Sequence, residues 1–488
     1  MRKIFKNSFF YTLGEFLKNA AAFLLVPVYT RYLSTGDYGI VAMVSAAAAF
    51  ISTFLMLGQS DAVTRFYFDI TDNEERKECV SSIFYFCVFV FMAFSVLATF
   101  SGERYFNRFF PGMPFRPFGL ILAWTVFFSV FEAFAFSVLK TKERAVSFSL
   151  FNFLGFIANT FLIILLVVRF KLGAFGKTFA DFLYAAVASV FFLYLIRRYL
   201  VARFSFSLIK RSLSFGVPLI AHQVSLWVIN LSDRYCLQLF GSLSMAGIYS
   251  IGYNVAFPVN FLSSSIGMAW SPFFFRTAEE KGARLHFSRM TTYYFVITIF
   301  TALAIAVFAR EIINALATKP YYSAYTVIPV VALSYFFHAL YKISTRLLIY
   351  AKQTAKLSLC TIASAAMNIV LNILWIPRYG MIGAAWATLA SFAFLFIAAF
   401  FFSRKYYHVP FEYAKLSLVF IFSLAVYFLS GAIKSGHIAA AVLYKIMLLA
   451  AYCLILYNSG VIVPEEKKRL RLLLAEKLDG LRFGKWKK

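Results

Sequence analysis

Residues 334–352, SYFFHALYKISTRLLIYAK, carry His338, Lys342 and Arg346 at successive four-residue steps in an otherwise apolar run. An α-helix turns once in about 3.6 residues, so this spacing predicts three groups on one face within about two turns. Such a face suits one kind of chemistry. It replaces the water that an anion loses on leaving solvent, and arginine can grip phosphate oxygens in pairs. Plainer roles compete at each position. Arg346, near the end of its run, could snorkel to headgroups, Lys342 could pair with a helix carboxylate, and His338 could be a neutral, hydrogen-bonded core residue.

Other ionisable groups interrupt apolar stretches elsewhere. Glu15 and Lys18 lie one turn apart and either neutralise each other or present Lys18 to a cavity with Glu15 holding it. Arg65 follows Asp61 at the end of an apolar run, where an anchoring role competes with a binding one. The stretch HQVSLWVINLSDRY gathers His222, Gln223, Asn230, Asp233 and Arg234. Adjacent Asp233 and Arg234 cannot share one helical face, so at least one must meet another helix. Lys445 is a further basic residue inside an apolar run, and Glu132 and Asp181 are acids without an obvious neighbour. A carboxyl held in an apolar interior can exchange a proton near neutral pH. Glu15, Glu132, Asp181 and Asp233 are therefore the candidates for coupling to a proton or sodium gradient. Lys18, Arg65, His222, Arg234, His338, Lys342 and Arg346 are the candidates for binding an anionic substrate.

What positions these groups follows from composition. The chain has 488 residues, is 61% hydrophobic and 14% charged, and contains 62 phenylalanines. Apolar stretches of about 20 residues recur, the length a helix needs to cross hydrocarbon, which predicts an all-α polytopic membrane protein. About fourteen spans are expected, near 9–30, 38–58, 79–100, 116–139, 146–168, 174–196, 213–238, 246–268, 290–309, 324–349, 357–376, 382–402, 414–432 and 439–458. The net charge of +27 does not indicate nucleic acid here, because loop lysines and arginines set topology. They concentrate in the N-terminus, the even-numbered loops and the tail, which puts both termini in the cytoplasm. The N-terminus lacks a clear cleavage site and reads as a retained first helix. The cysteines, Cys79, Cys87, Cys236, Cys360 and Cys453, lack metal-ligand spacing and read as small buried hydrophobes. No cofactor is expected. Tyr249, Tyr253, Tyr335 and Tyr341 are candidates for stacking on sugar rings, against the commoner roles of packing and interfacial anchoring.

The chain also repeats itself. GAFGKTFA at 173–180 matches GMIGAAWA at 380–387, STGDYGIVAMV at 34–44 matches SLSMAGIYSIG at 242–252, and KERA at 142–145 matches KQTA at 352–355. The three separations are nearly equal, so spans 1–6 and 7–12 read as copies. Six is even, so the copies share one orientation, with a pseudo-twofold axis along the membrane normal. Residues 1–205 form the first lobe, 206–405 the second, 406–460 two added spans, and 461–488 a basic amphipathic tail on the inner leaflet. Gly173, Gly176, Gly380 and Gly383 are expected to serve close helix packing.

LLVPVYTRYLSTGDYGIVAMV (24–44), NLSDRYCLQLFGSLSMAGIYSI (230–251) and WIPRYGMIGAAWATLASF (375–392) resemble motifs of the polysaccharide transporter (Wzx-type) family. That family belongs to the multidrug/oligosaccharidyl-lipid/polysaccharide (MOP) flippase superfamily, and the similarity runs through spans 1–12. The resemblance implies a two-lobe carrier of the bacterial cytoplasmic (inner) membrane. By alternating access it would move undecaprenyl-pyrophosphate-linked oligosaccharide, an O-antigen, capsule or exopolysaccharide unit, to the outer leaflet. The pyrophosphate would meet the cations named above, and the polyprenyl tail would stay in lipid. The implied partners are that glycan, membrane lipids and polysaccharide polymerase machinery. A lipid II flippase is the nearer alternative, and a multidrug cation exporter the more distant one, because a cation-lined cavity repels cationic cargo. Neither a catalytic domain with paired carboxylates nor a nucleotide-binding loop is evident, so no enzymatic activity is expected.

Overall fold

The computed structural model describes residues 23–432 and 438–461. Glu15 and Lys18, most of the first expected span and the basic tail lie outside the described residues.

Among the described residues the chain is helical throughout. A short helix α1 (Val26–Tyr32) leads into α2 (Thr35–Met56), whose start is fixed by a capping box between Ser34 and Asp37. Leu57 and Gly58, both left-handed, offset α3 (Gln59–Asp69) from α2. Then come α4 (Asn73–Phe109), α5 (Leu120–Thr141), α6 (Ala145–Ile163), α7 (Gly173–Ile196) and α8 (Phe206–Phe240). The second half continues with α9 (Leu243–Thr277), α10 (Ala283–Val307), the short α11 (Ala309–Leu316), a tight turn over Lys319–Thr326, and α12 (Ile328–Tyr350). It ends with α13 (Thr354–Tyr406), α14 (Tyr413–Ser430) and α15 (Ile438–Asn458).

Ten described helices are long and apolar enough to cross a membrane, and a bent pair around the turn before α12 makes eleven. The difference from fourteen has physical reasons. The first expected span is mostly undescribed, and α9, with its many small polar residues, falls outside the apolar set. Helix α13 has 53 residues, about 80 Å of helix, far more than one crossing needs. It breaks at Gly380, whose φ of 56° and ψ of −133° leave the helical region just after Pro377. That break separates the two expected spans 357–376 and 382–402.

The repeat is visible in local structure. Ser34 and Ser242, equivalent in the duplicated stretches, cap α2 and α9 by accepting from the backbone of Asp37 and Met245. Gly173 and Gly380, also equivalent, both take positive φ, 55° and 56°. For these two the expectation of close packing is corrected: a left-handed backbone is what requires glycine. Gly176 and Gly383 do serve packing, since a Cβ at Gly383 would lie 2.5 Å from the Trp375 carbonyl oxygen.

The helices form two bundles. In the first, α5 packs on α4 and α7; in the second, α12 packs on α9, α10 and α13. The bundles meet along α2, which crosses α8 and α9. At the end where α2 and α9 begin, Asn254 Nδ2 donates to Tyr38 (3.0 Å), Tyr321 donates to the Ser34 carbonyl (2.8 Å), and Thr318 donates to the Thr30 carbonyl (2.7 Å). There a Cβ on Gly39 would fall 1.9 Å from the Leu243 carbonyl oxygen, and one on Gly247 2.2 Å from that of Thr35. Leu243 and Thr35 are themselves equivalent by the repeat, so the contact is reciprocal about the pseudo-twofold axis. Helix α15 docks on the second bundle through Lys445 Nζ and Glu311 Oε1, 2.6 Å apart.

Candidate functional site

Helix α12 presents His338, Lys342 and Arg346 much as the spacing predicts, with a drift. Each four-residue step overshoots one turn by about 40°, so the three groups do not meet the same neighbours. His338 stacks on Phe392 of α13 with ring centroids 4.6 Å apart, and its Nδ1 has no partner among the described residues. Lys342 and Arg346 turn toward α9.

Lys342 Nζ donates to Asn260 Oδ1 (2.8 Å), Ser263 Oγ (3.0 Å) and Ser264 Oγ (2.7 Å). The acceptors share one face of α9 because they are spaced i, i+3 and i+4. All three are neutral, and among the described residues no carboxylate forms an ion pair with Lys342 or Arg346. Arg346 lies over the Trp270 ring, its Cζ 5.4 Å from the centroid. One guanidinium nitrogen approaches the α9 backbone at Gly267 so closely that a Cβ there would sit 2.2 Å from it. The other, Nη1, is buried without a partner among the described residues. Two adjacent cations without a counter-charge favour an anion beside them.

Asp233 and Arg234 behave differently. Asp233 is fully buried and accepts from Tyr249 of α9 and from Thr388 of α13 (3.2 Å). Arg234 Nη1 lies 3.5 Å from Asp233 and donates to the Asn230 carbonyl (2.8 Å), while its guanidinium covers the Tyr253 ring at 4.4 Å. Tyr335 packs edge-on against Tyr253, 5.2 Å between centroids. This is a closed set of mutually satisfied groups binding α8 to α9 and α13.

The remaining candidates are dispersed. Arg65 is exposed, pairs with Asp69 at 3.5 Å and covers Phe215. His222 Nδ1 shares a hydrogen bond with Thr361 (3.1 Å), and Gln223 donates to Asp61 across the two bundles (3.1 Å). Asp181 does have neighbours, which corrects its reading as a lone acid: Lys177 Nζ lies 2.5 Å away and Asn159 donates to it at 3.1 Å. Glu132 is hydrogen-bonded with Tyr184. Of the cysteines, Cys453 is exposed on α15 rather than buried.

Sequence reasoning missed the α9 half of the site. Asn260, Ser263, Ser264, Gly267 and Trp270 carry no charge, so nothing in their types marks a site. The signal that could have found them is their spacing, which keeps all five near one face. A 670 Å³ groove among α10, α12, α13 and α14 lies on the other side of α12, with Phe295, Phe336, Phe337, Phe400 and Phe420 in its lining, and offers no charge.

The family described as polysaccharide biosynthesis protein matches residues 4–278, more than half of the chain, and the MatE family matches residues 218–374. A protein of the Lsg locus of Haemophilus influenzae is 21% identical over 410 residues, covering 78% of this chain and 95% of its own. An inward-facing multidrug resistance MATE family transporter of the MOP superfamily aligns with a TM-score of 0.61 at 14% identity, over 83% of this chain and 94% of that one. A MOP superfamily transporter from Pyrococcus furiosus, described by the reverse polarity of its binding pocket, aligns with a TM-score of 0.56 at 14% identity, over 83% and 95%. At these identities the structures establish the fold, a two-lobe helical bundle.

Proposed function

We propose, from the premise that the chain belongs to the polysaccharide biosynthesis protein family, that it is a flippase for pyrophosphate-linked glycan lipids. The cargo would be an undecaprenyl-pyrophosphate-linked oligosaccharide, carried from the cytoplasmic to the outer leaflet of a bacterial inner membrane, with both termini cytoplasmic. Residues 1–205 and 206–405 act as the two rocking lobes. The observation that carries this reading is Lys342, a half-buried ammonium held only by neutral oxygens of Asn260, Ser263 and Ser264, with Arg346 one turn away. Such a pair lacks the negative charge that a diphosphate would bring.

In this mechanism the neutral acceptors hold Lys342 in place until a phosphate oxygen displaces one of them, and Arg346 supplies a second donor. The lobes then part where Gly39 faces Gly247 and close at the opposite end, so the headgroup passes while the polyprenyl chain stays in lipid. Glu15, Glu132, Asp181 or Asp233 would couple the cycle to an ion gradient.

A second reading has one supporting observation: the MatE match covers residues 218–374, the segment that carries Lys342 and Arg346. A multidrug cation exporter, however, would place acids where these cations stand, and the Pyrococcus furiosus neighbour of the same fold is itself described by a binding pocket of reverse polarity. Reconstituted vesicles separate the readings. Defined pyrophosphoryl lipids should be flipped by the wild type and far more slowly by Lys342→Ala; export of cationic dyes with no flipping would reverse the assignment.

A further inference from the structure

Behind the α9–α12 contact lies a small cavity walled by Trp270 and Phe274 of α9, Phe287 and Thr291 of α10, and Ile343 and Arg346 of α12, with Val409 and Phe411 closing it. Trp270 and Thr291 are each 5% exposed. Three residues of this wall carry a buried polar atom that has no hydrogen-bond partner among the described residues: Trp270 Nε1, Arg346 Nη1 and Thr291 Oγ1. Three unrelated helices each leave one polar atom unsatisfied around one cavity. We infer that Trp270, Thr291 and Arg346 form a binding site for a single monatomic anion of the chloride class.

The chemistry of the lining selects the occupant. An indole N–H and a guanidinium N–H only donate, whereas a threonine hydroxyl can turn either way. A water accepting from the first two would still have two protons to place, and the wall offers one hydroxyl oxygen to receive them. A halide accepts all three donors. It also brings the negative charge that Arg346 lacks, since no carboxylate lines the cavity. Size excludes larger anions: about 10 Å³ is open to the centre of a water-sized sphere, about one such sphere's worth, which leaves no room for a phosphate.

The halide would meet Arg346 through Nη1 and leave Lys342 as the uncompensated cation. It requires no transported lipid, and its test is independent of the flippase reading. Purified protein in neutral detergent is unfolded thermally in sodium chloride, sodium bromide or sodium gluconate at one ionic strength. A ligand that binds the folded state alone raises the midpoint saturably with its concentration. Chloride and bromide should raise it by about 2 °C or more over gluconate. Trp270→Phe, which keeps the ring and removes the N–H, and Thr291→Val should each lose most of that rise. Equal midpoints in chloride and gluconate would mean a neutral occupant and would overturn the site. So would an undiminished chloride rise in both variants, which would place the halide elsewhere. Even when neither variant folds, equal wild-type midpoints in the two salts overturn the site.

Discussion

Replacing Lys342 with methionine keeps most of the unbranched stem and removes only the charge and its donors. Two unit charges 4 Å apart interact by about 4 kcal/mol at an effective dielectric constant of 20. Lys342 is half-buried, so solvent screening reduces this to about 2 kcal/mol for a phosphate held against it. At about 1.4 kcal/mol per decade, flipping of a fluorescent pyrophosphoryl lipid in vesicles should fall about 30-fold. Stability should move little. Asn260 Oδ1 and the two serine hydroxyls lose a partner, at about 1–3 kcal/mol, but Ser263 and Ser264 keep their own bonds to the Asn260 carbonyl. The protein no longer holds an ammonium without a counter-charge, which offsets that loss. The thermal midpoint in detergent should therefore stay within a few degrees of wild type. Wild-type flipping by a folded Lys342→Met variant would refute the reasoning, and so would a collapse of the fold, which would make Lys342 structural.

Other substitutions address the frame around the site. Thr388→Val removes one donor from fully buried Asp233 and should cost about 1–3 kcal/mol, read by thermal or denaturant unfolding. Lys445→Met strands Glu311 and should loosen α15 by about 1–2 kcal/mol, with Lys445→Met plus Glu311→Gln recovering most of it in a double-mutant cycle. Gly39→Ala must push α2 from α9 by more than 1 Å; a cysteine placed at Asn254 should then react faster with a polar maleimide than in the wild-type background. Outside the spans, burial pushes the Glu412 carboxyl up, but hydrogen bonds from Lys415 (2.5 Å) and Thr292 (2.8 Å) outweigh it and hold it below its ordinary value. A depressed carboxyl stabilises the fold above the unfolded pKa of about 4.3 and stops doing so as pH falls through the folded value. The midpoint gap between wild type and Glu412→Gln should hold steady above about pH 5 and close below it.

The helices and the duplication were legible because both rest on local rules, apolar runs of membrane length and recurring glycines. The cation face of α12 was legible for the same reason: helical periodicity needs no partner to be read. Its neighbours were not. Asn260 and Lys342 are joined by helix packing, and nothing in either stretch announces the other. Glu311 and Lys445 likewise meet only once α15 has docked. Asp181 is a different case. Lys177 sits four residues earlier on the same helix, a pairing the i, i+4 rule makes visible in the sequence itself. The glycines at 173 and 380 show a further limit: sequence marks where small residues recur, but the sign of φ decides whether space or backbone freedom is the reason.

The facing glycines of α2 and α9 tie the history of the chain to its shape. Each half of the ancestral doubling contributes the same notch and the same ridge, so a methyl group added to either copy becomes a wedge against its twin. The halves have drifted apart in sequence, yet at this crossing neither can change alone.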